Sequence, residues 1–232
     1  MIDFHTHILP GMDDGSRDLE QTYLMLDEMK KKGIDVVVAT PHFDMESESI
    51  ESFISRRDEA FSKLKLDESY PEIILGAEVL YTGDYLYNAE GIEKLCMGNT
   101  RFMLIEGQIE RWEVGFRDCL LKLMLEKDII PIIAHIERYI DIGKNKQILE
   151  TLMEQGAVLQ MNAEYFMYRR TRRKALKLFK TGFVHLLGSD CHNMENRPPN
   201  LNDAVEVLRE YIGEDAIWHL EAVGLGVLRR QF

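Results

Sequence analysis

Three cysteines in 232 residues, Cys96, Cys119 and Cys191, are few and odd in number, which excludes a disulfide framework and the small cross-linked secreted folds built on one. Proline is sparse at six residues, and no biased tract interrupts the chain, so neither a linker nor a low-complexity segment is expected. No apolar run is long enough to span a membrane, and the start, Met1 to His5, lacks the basic and long apolar regions of a signal peptide. The expectation is a cytoplasmic protein that is not membrane-inserted. Positive charge is also short: 28 Lys and Arg stand against 40 Asp and Glu, a formal net charge of −12. That balance opposes the phosphate backbone and argues against a nucleic-acid partner. Bound cations would cancel carboxylate charge locally, so the balance describes the surface and not a site.

What is present is apolar mass for a large core, with 45% hydrophobic and 29% charged residues. A single domain over residues 1–232 is expected, a length that α/β barrels commonly reach without splitting. Short β-branched or apolar runs alternate with segments of helical period, the pattern of a parallel sheet wound with helices. Seven candidate strands fall at residues 2–5, 35–40, 73–78, 102–106, 129–135, 158–162 and 184–189. Candidate helices fall between them at 19–32, 52–66, 115–127, 144–155 and 172–180, and the pair Pro198-Pro199 opens a loop before a last helical region. The first helix carries end signals: Asp18 as N-cap with Gln21 three residues on, and Gly33 after a basic last turn. Seven βα units predict an α/β fold, a distorted seven-stranded TIM-like barrel, with an open doubly wound sheet as the alternative. In both, ligands sit beyond the carboxyl ends of the strands.

The chemically capable residues fall at those ends. His5 and His7 close strand one, His42 follows strand two, Glu78 ends strand three, Glu106 ends strand four, His135 ends strand five, and Asp190 with His192 follows strand seven. A lone histidine after a strand is more often a structural hydrogen-bonder than a ligand. Five of the 7 histidines at one end of a sheet are a site, and their imidazole and carboxylate donors suit Zn, Mn and Fe. His-x-His in an extended strand puts both rings on one face, and Asp190-x-His192 does the same if it stays extended. Asp14, in Gly-Met-Asp-Asp-Gly-Ser, is placed to swing back over the same mouth. His185 and His219 are expected to be ordinary core or surface residues.

The opening Ile-Asp-Phe-His-Thr-His-Ile-Leu-Pro-Gly-Met-Asp-Asp-Gly-Ser, with Ala-Thr-Pro-His-Phe, Gly-Ala-Glu-Val, Ala-His-Ile-Glu-Arg-Tyr and Gly-Ser-Asp-Cys-His-Asn, resembles the bacterial PHP-type tyrosine-protein phosphatases of capsular and exopolysaccharide gene clusters. The resemblance runs from residue 2 to about residue 199. It implies the PHP fold and three divalent metal ions, usually manganese, with iron or zinc as alternatives. It assigns His5, His7, Glu78 and Asp190 to the first metal, Glu106 and His135 to a second bridged by Glu78, and Asp14, His42 and His192 to the third. It also places Arg138 and Arg197 near the phosphate. The chain departs from the family pattern at Ile136, where Pro is usual, at Gly107-Gln108, often Phe-Pro, and at Cys191, usually Ala; none of these removes a ligand.

The activity so implied is hydrolysis of phosphotyrosine in protein, with a polysaccharide-associated tyrosine kinase as the family's partner, through a metal-bridging hydroxide. Metal coordination lowers the pKa of water to about 7, so a nucleophile exists at neutral pH. Three divalent cations against four carboxylates and one hydroxide leave one net positive charge to attract a phosphate dianion. Arg138, with its planar fork, is expected to clamp the phosphate, and Arg138, Glu106 and His42 to carry catalysis. Tyr81, Tyr85, Tyr87 and Trp112 offer an aromatic wall for the ester or simply pack the loops. Rival readings are a small-molecule phosphatase such as a histidinol-phosphatase, an amidohydrolase, which commonly has a lysine where Glu106 stands, and a non-enzymatic metal-binding regulator. The run Arg169, Arg170, Arg172, Arg173, Lys174 reads as a solvated helix start or a docking patch for an acidic tail. Cys191 and Arg197 formally match the Cys-x5-Arg signature of thiol phosphatases, but the intervening residues contain no glycine and Pro198-Pro199 follow, a poor cradle for an anion.

Overall fold

The computed structural model describes residues 1–83 and 85–229. Along the chain lie β1 (Ile2–Thr6), α1 (Leu19–Lys31), β2 (Val36–Ala39), β3 (His42–Phe43), α2 (Ile50–Ser62), β4 (Glu72–Leu75), β5 (Glu78–Leu80), α3 (Tyr85–Asn88) and β6 (Phe102–Glu106). There follow α4 (Val114–Glu126), β7 (Ile130–Ile133), α5 (Asn145–Glu154), β8 (Val158–Asn162), α6 (Glu164–Met167), α7 (Arg169–Lys180), β9 (Leu186–Gly188), α8 (Leu201–Tyr211) and α9 (Glu214–Arg229). All strand pairs are parallel, in the orders β1-β2-β4 and β3-β5-β6-β7-β8-β9. A parallel bridge between Thr6 and Cys191 links the first strand to the chain beyond the last, so the sheet curls towards itself.

Seven strands were expected from the apolar runs, and among the described residues nine are present. The second run forms β2 alone, and β3 starts anew beyond Pro41, which has no N–H to give the ladder. The third breaks at Gly76-Ala77 into β4 and β5. Hydrogen bonds still cross both breaks, from Gly76 N to Ala39 O at 2.8 Å and from Glu78 N to Pro41 O at 3.0 Å. Strand seven is shorter than expected because side chains take over its ends: Leu159 N donates to His185 Nδ1 at 2.9 Å, and Ser189 N to Asp3 Oδ1 at 2.9 Å. His185 is therefore a structural acceptor, and the His219 ring packs edge-on against Phe179.

Period-two alternation sorts the strand residues into two faces. Val38, Leu104, Ile132 and Leu186 pack with Phe4, Met97 and Val227 inside the curl, each nearly or fully buried and each worth about 1.5–3 kcal/mol of apolar burial. Met103, Ile105, Ile133, Leu159 and Met161 point the other way, against helices that present Met25, Leu26 and Met29 of α1 or Phe116, Leu120 and Leu123 of α4. At Gly224, α9 passes so close to the inner cluster that a Cβ would stand 3.0 Å from the Phe4 ring. The inner core is thus closed at the strands' amino ends and turns polar towards their carboxyl ends.

The signals for α1 act as written: Asp18 Oδ1 accepts from Gln21 N at 2.9 Å, and Gly33 takes φ +76° after the helix. The second helix begins earlier than expected, at Ile50, because Ser49 caps it by accepting from Ser52 N at 3.2 Å. The helix α7 starts three residues before its expected position, so the arginine run lies within it.

Candidate metal and phosphate site

A bulge in the β1–β2 register between Asp3 and Thr6 gives the strand an irregularity that strict alternation would not allow. Phe4 joins the inner core, while the adjacent His5 and His7 meet at the mouth with their Nε2 atoms 3.2 Å apart. Gly188 leaves room for this: a Cβ there would stand 2.4 Å from the Cβ of His5. Two further donors are re-aimed by left-handed backbone, His135 at φ +31° and Asp190 at φ +54°. Such conformations are uncommon for residues with a side chain and cluster at functional sites. Asp190-x-His192 is therefore not the extended pair that its spacing allowed; Asp190 turns sharply, and its Oδ1 still lies 3.7 Å from His192 Nδ1.

Glu78 sits at the centre. Its Oε1 lies 2.8 Å from His135 Nε2, and its Oε2 lies 3.1 Å from His5 Nε2, 3.3 Å from His7 Nε2 and 3.0 Å from His42 Nδ1. Glu106 Oε1 stands 3.3 Å from His135 Nε2, and Asp190 Oδ1 stands 3.5 and 3.4 Å from the Nε2 atoms of His5 and His7. Asp14 Oδ1 reaches His192 Nε2 at 3.2 Å and His42 Nε2 at 3.5 Å. Gly15 makes that return possible, since a Cβ on it would fall 2.3 Å from the His7 carbonyl oxygen. Donor atoms gather into overlapping groups: His7, Asp14, His42 and His192; His5, His7 and Asp190; His5, Glu78 and His135; and His42, Glu78 and Glu106. All nine candidate ligands stand in one cluster, and the grouping with His7 beside Asp14 is broader than the partition the resemblance implied.

Glu78 Oε2 is buried and has no hydrogen-bond partner despite the three ring nitrogens around it. Buried carboxylate oxygens are ordinarily paired, and lone pairs that converge without a bonding hydrogen fit a cation between them. The rings are also held for that use. His7 Nδ1 donates to Asp13 Oδ2 at 2.7 Å, His192 Nδ1 to the Asp190 carbonyl at 3.0 Å, and His135 Nδ1 lies 3.0 Å from Tyr139 Oη, whose hydroxyl donates to the Ala134 carbonyl. In the neutral rings that a metal requires, each anchor leaves Nε2 with its lone pair facing the cluster.

Charge follows the geometry. Burial opposes the charged form of His7, but Asp13, Asp190 and Glu78 outweigh it and hold its pKa well above the ordinary value. His135 is likewise opposed by burial and raised to about 9 by Glu106 and Glu78. Burial alone would raise Glu78 and Asp190; the surrounding imidazoles outweigh it and lower both. His192 is lowered to about 4 by burial and by the positive His7 and Arg197.

Both arginines reach the cluster. Arg138 donates to Glu106 Oε1 at 3.1 Å and to Asp190 Oδ2 at 3.0 Å, while Arg197 stands 2.6 Å from Asp190 Oδ2 and 2.8 Å from His192 Nε2. They line a cleft of about 590 Å³ whose aromatic members are Tyr165 and Tyr168. Of the aromatic residues offered as a wall, Trp112, Tyr81 and Tyr87 are engaged elsewhere, while Tyr85 is exposed. Trp112 is buried and stacked on Phe116 at 4.2 Å, Tyr81 meets Phe116 edge-on, and Tyr87 hydrogen-bonds Glu126. Trp112 explains the departure at Gly107: a Cβ there would lie 2.6 Å from the indole ring.

Sequence reading missed Asp13, which also accepts from His42 N at 2.9 Å, because two adjacent aspartates in a glycine loop carry no sign of which faces inward. It missed Gln160 and Asn162 too. Their signal was available, as polar residues at the inward positions of strand six: Gln160 Oε1 accepts from His135 N at 2.7 Å, and Asn162 Nδ2 donates to Asp190 Oδ2 at 2.8 Å. Cys191 is fully buried among apolar side chains, and burial first, then the nearby Asp3, pushes its thiol well above the usual range.

The tyrosine-protein phosphatase CpsB of Streptococcus pneumoniae is 30% identical over 227 residues, covering 92% of this chain and 91% of that protein. The tyrosine-protein phosphatase YwqE of Bacillus subtilis is 28% identical over 236 residues, covering 100% of this chain and 92% of that protein. A solved structure from work on YwqE of Bacillus subtilis and CpsB of Streptococcus pneumoniae, described as metal-dependent tyrosine phosphatases, superposes with a TM-score of 0.85 at 27% identity, covering 100% of this chain and 96% of that one. A β-aspartyl dipeptidase of Fervidobacterium islandicum AW-1 shares the fold alone, with a TM-score of 0.51, 12% identity and coverage of 98% and 74%. The model of the capsular polysaccharide synthesis family CpsB/CapC matches residues 1–222, and the chain belongs to that family.

Proposed function

We propose that this protein is a metal-dependent phosphomonoesterase that removes phosphate from tyrosine in protein and so serves capsular or exopolysaccharide synthesis. The observation that carries this is the meeting of nine metal-capable side chains and two arginines at one mouth, in a chain 30% identical to a tyrosine-protein phosphatase. His5, His7, Glu78 and Asp190 would hold one cation, Glu78, Glu106 and His135 a second, and Asp14, His42 and His192 a third, with manganese the metal proposed. When bound, such cations polarise phosphoryl oxygens and make a water nucleophilic at neutral pH.

The remaining work falls to the chain. Arg138 and Arg197 present their guanidinium groups to the cleft, where they would bind the phosphoryl oxygens and meet charge that grows in the transition state. Asp13, Tyr139 and the Asp190 carbonyl orient three of the imidazoles, and Glu106 and His42 stand at the accessible lip beside Arg138. A thiol mechanism is disfavoured, because the thiol of Cys191 is buried and held protonated. We further infer that the broken strands count as one each, which makes seven staves of a distorted barrel, and that residues 1–232 form one domain. Among the described residues no helix is long and apolar enough to cross a membrane, in keeping with the proposed cytoplasmic location.

The test is turnover by protein of measured metal content. Phosphotyrosine peptide should be hydrolysed with a far higher kcat/KM than histidinol phosphate, and a chelator should stop it. Preference for histidinol phosphate would replace the substrate, and no turnover of either with metal loaded would leave a metal-binding regulator.

A further inference from the structure

The helix α7 reads Arg-Arg-Thr-Arg-Arg-Lys-Ala-Leu-Lys-Leu-Phe-Lys, with seven basic residues among 12 and no acidic one, in a chain whose formal charge is −12. Two of the seven are used internally. Arg172 donates to the Phe166 and Met167 carbonyls at 3.0 and 2.7 Å, and Lys174 pairs with Asp141. Arg169, Arg173, Lys177 and Lys180 line, with Arg172 and Tyr211, a groove of about 530 Å³ whose wall has no carboxylate among the described residues.

This arrangement works against the helix. Cations in the first turns oppose the helix dipole, and like charges three and four residues apart repel, as Arg169 does with Arg173 and Arg173 with Lys177. An anionic partner would relieve both. The groove also adjoins the phosphate cleft: Met167 and Tyr168 line the cleft, the next residue, Arg169, lines the groove, and Arg172 bonds to the Met167 carbonyl. Tyr168 and Tyr211 are both exposed along this path, and the Arg172 guanidinium stands 5.7 Å from the Tyr211 ring.

We infer that the basic face of α7 docks an acidic peptide segment of the substrate while its phosphotyrosine lies between Arg138 and Arg197. The inference rests on the phosphatase reading for the placing of the phosphotyrosine. Twelve helical residues span about 18 Å, the length of about five extended residues. The face can therefore dock an acidic run of about five residues.

The experiment compares metal-loaded parent protein with the R169E/R173E/K177E variant and the milder R169Q/R173Q variant, each checked for Tm and metal content. Substrates are a phosphotyrosyl peptide with an acidic run, the same peptide with alanines in the run, and p-nitrophenyl phosphate. The charge reversal should lower kcat/KM for the acidic peptide by about tenfold at low salt, with p-nitrophenyl phosphate within about twofold and the glutamine variant between. Added salt should shrink the acidic peptide's advantage in the parent. Equal loss on all three substrates, or no loss on the acidic peptide, overturns the inference. Fluorescence anisotropy of the acidic peptide without phosphate reads docking alone: binding that the reversal abolishes supports the inference even if no aryl phosphate is turned over, a result that would sink only the phosphatase reading. Sedimentation of the parent with phosphatidylglycerol vesicles, lost in the variant while peptide turnover stays intact, would assign the face to lipid and overturn it as well.

Discussion

Asp13 Oδ2 lies 2.7 Å from His7 Nδ1 and, through the same oxygen, accepts the backbone N–H of His42 at 2.9 Å. One carboxylate thereby fixes the tautomer of a ring just past β1 and the position of the residue that opens β3. Asp13→Ala should weaken metal binding by about 10–100-fold without removing a ligand, and high metal concentration should restore most activity. Titration of chelator-stripped protein with manganese checks this. Unchanged affinity would mean that His7 is oriented by its packing alone.

The donors were legible because the chemistry of a strand's carboxyl end is written in residue type and in a period of two. His5, His7, Glu78, Glu106 and His135 could be placed before any coordinates, and the strands at 102–106 and 158–162 were placed to the residue. The geometry that aims the donors was not legible. A bulge between Asp3 and Thr6, and left-handed backbone at His135 and Asp190, are set by tertiary packing, and no glycine marks them. For the aromatics after strands three and four, residue type left two uses open, a wall for the ester or packing of the loops. Trp112 and Tyr81 follow the right strands, but Gly107 opens a space that the indole fills, and the cleft's tyrosines come instead from the segment after strand six.

Gly188 is a tight point behind the mouth, where a Cβ would meet the Cβ of His5 at 2.4 Å and Gln160 Nε2 at 2.8 Å. Both neighbours are fully buried. Gly188→Ala should cost about 1–3 kcal/mol as overpacking. At about 2–4 °C per kcal/mol for a chain of this size the Tm should fall visibly, and bound metal should drop with it as His5 is displaced. Gly226→Ala, with nothing near its Cβ, is the control and should leave both unchanged or raise Tm slightly. Equal behaviour of the two variants would remove the steric argument.

Without cations the cluster should respond to pH in a defined direction. His135 is raised from 6.5 to about 9, so its contribution to stability is complete below about pH 6.5 and is lost as pH rises through 9. The lowered Glu78 and Asp190 contribute above the ordinary carboxylate range, and that share is lost in acid. Chelated protein should therefore lose Tm between pH 7 and 9. Metal-loaded protein should not, since alkali frees ligands for the metal. Metal binding near pH 7 should also release protons, measurable by calorimetry in buffers of different ionisation enthalpy. A chelated Tm that rises from pH 7 to 9 would contradict the charge state drawn for His135.

Arg138 bridges Glu106 and Asp190 at 3.1 and 3.0 Å from the accessible side of the cluster. If its fork meets charge that develops in the reaction, Arg138→Ala should lower kcat by about 10²–10³-fold while KM changes far less. Metal content should stay at the parent level. A change confined to KM would assign the residue to ground-state binding, and loss of metal would make it a support for Asp190.

Cys191 and Arg197 carry the spacing of a thiol phosphatase, and the structure sets the two apart in role. The cysteine is fully buried in the core between the sheet and its helices, while its neighbours Asp190 and His192 face the cluster and Arg197 contacts both of them. Burial raises the thiol pKa, so the thiolate that such chemistry needs is scarce at neutral pH. Cys191→Ser should keep most activity, with a modest loss of stability from the buried hydroxyl, and Cys191→Ala should serve where the serine variant folds poorly. The native parent should resist alkylation, a chelator should abolish its turnover, and added manganese should restore it. A folded, metal-loaded Cys191→Ala protein without activity, beside a parent indifferent to chelation, would move the reaction from the metal cluster to the thiol.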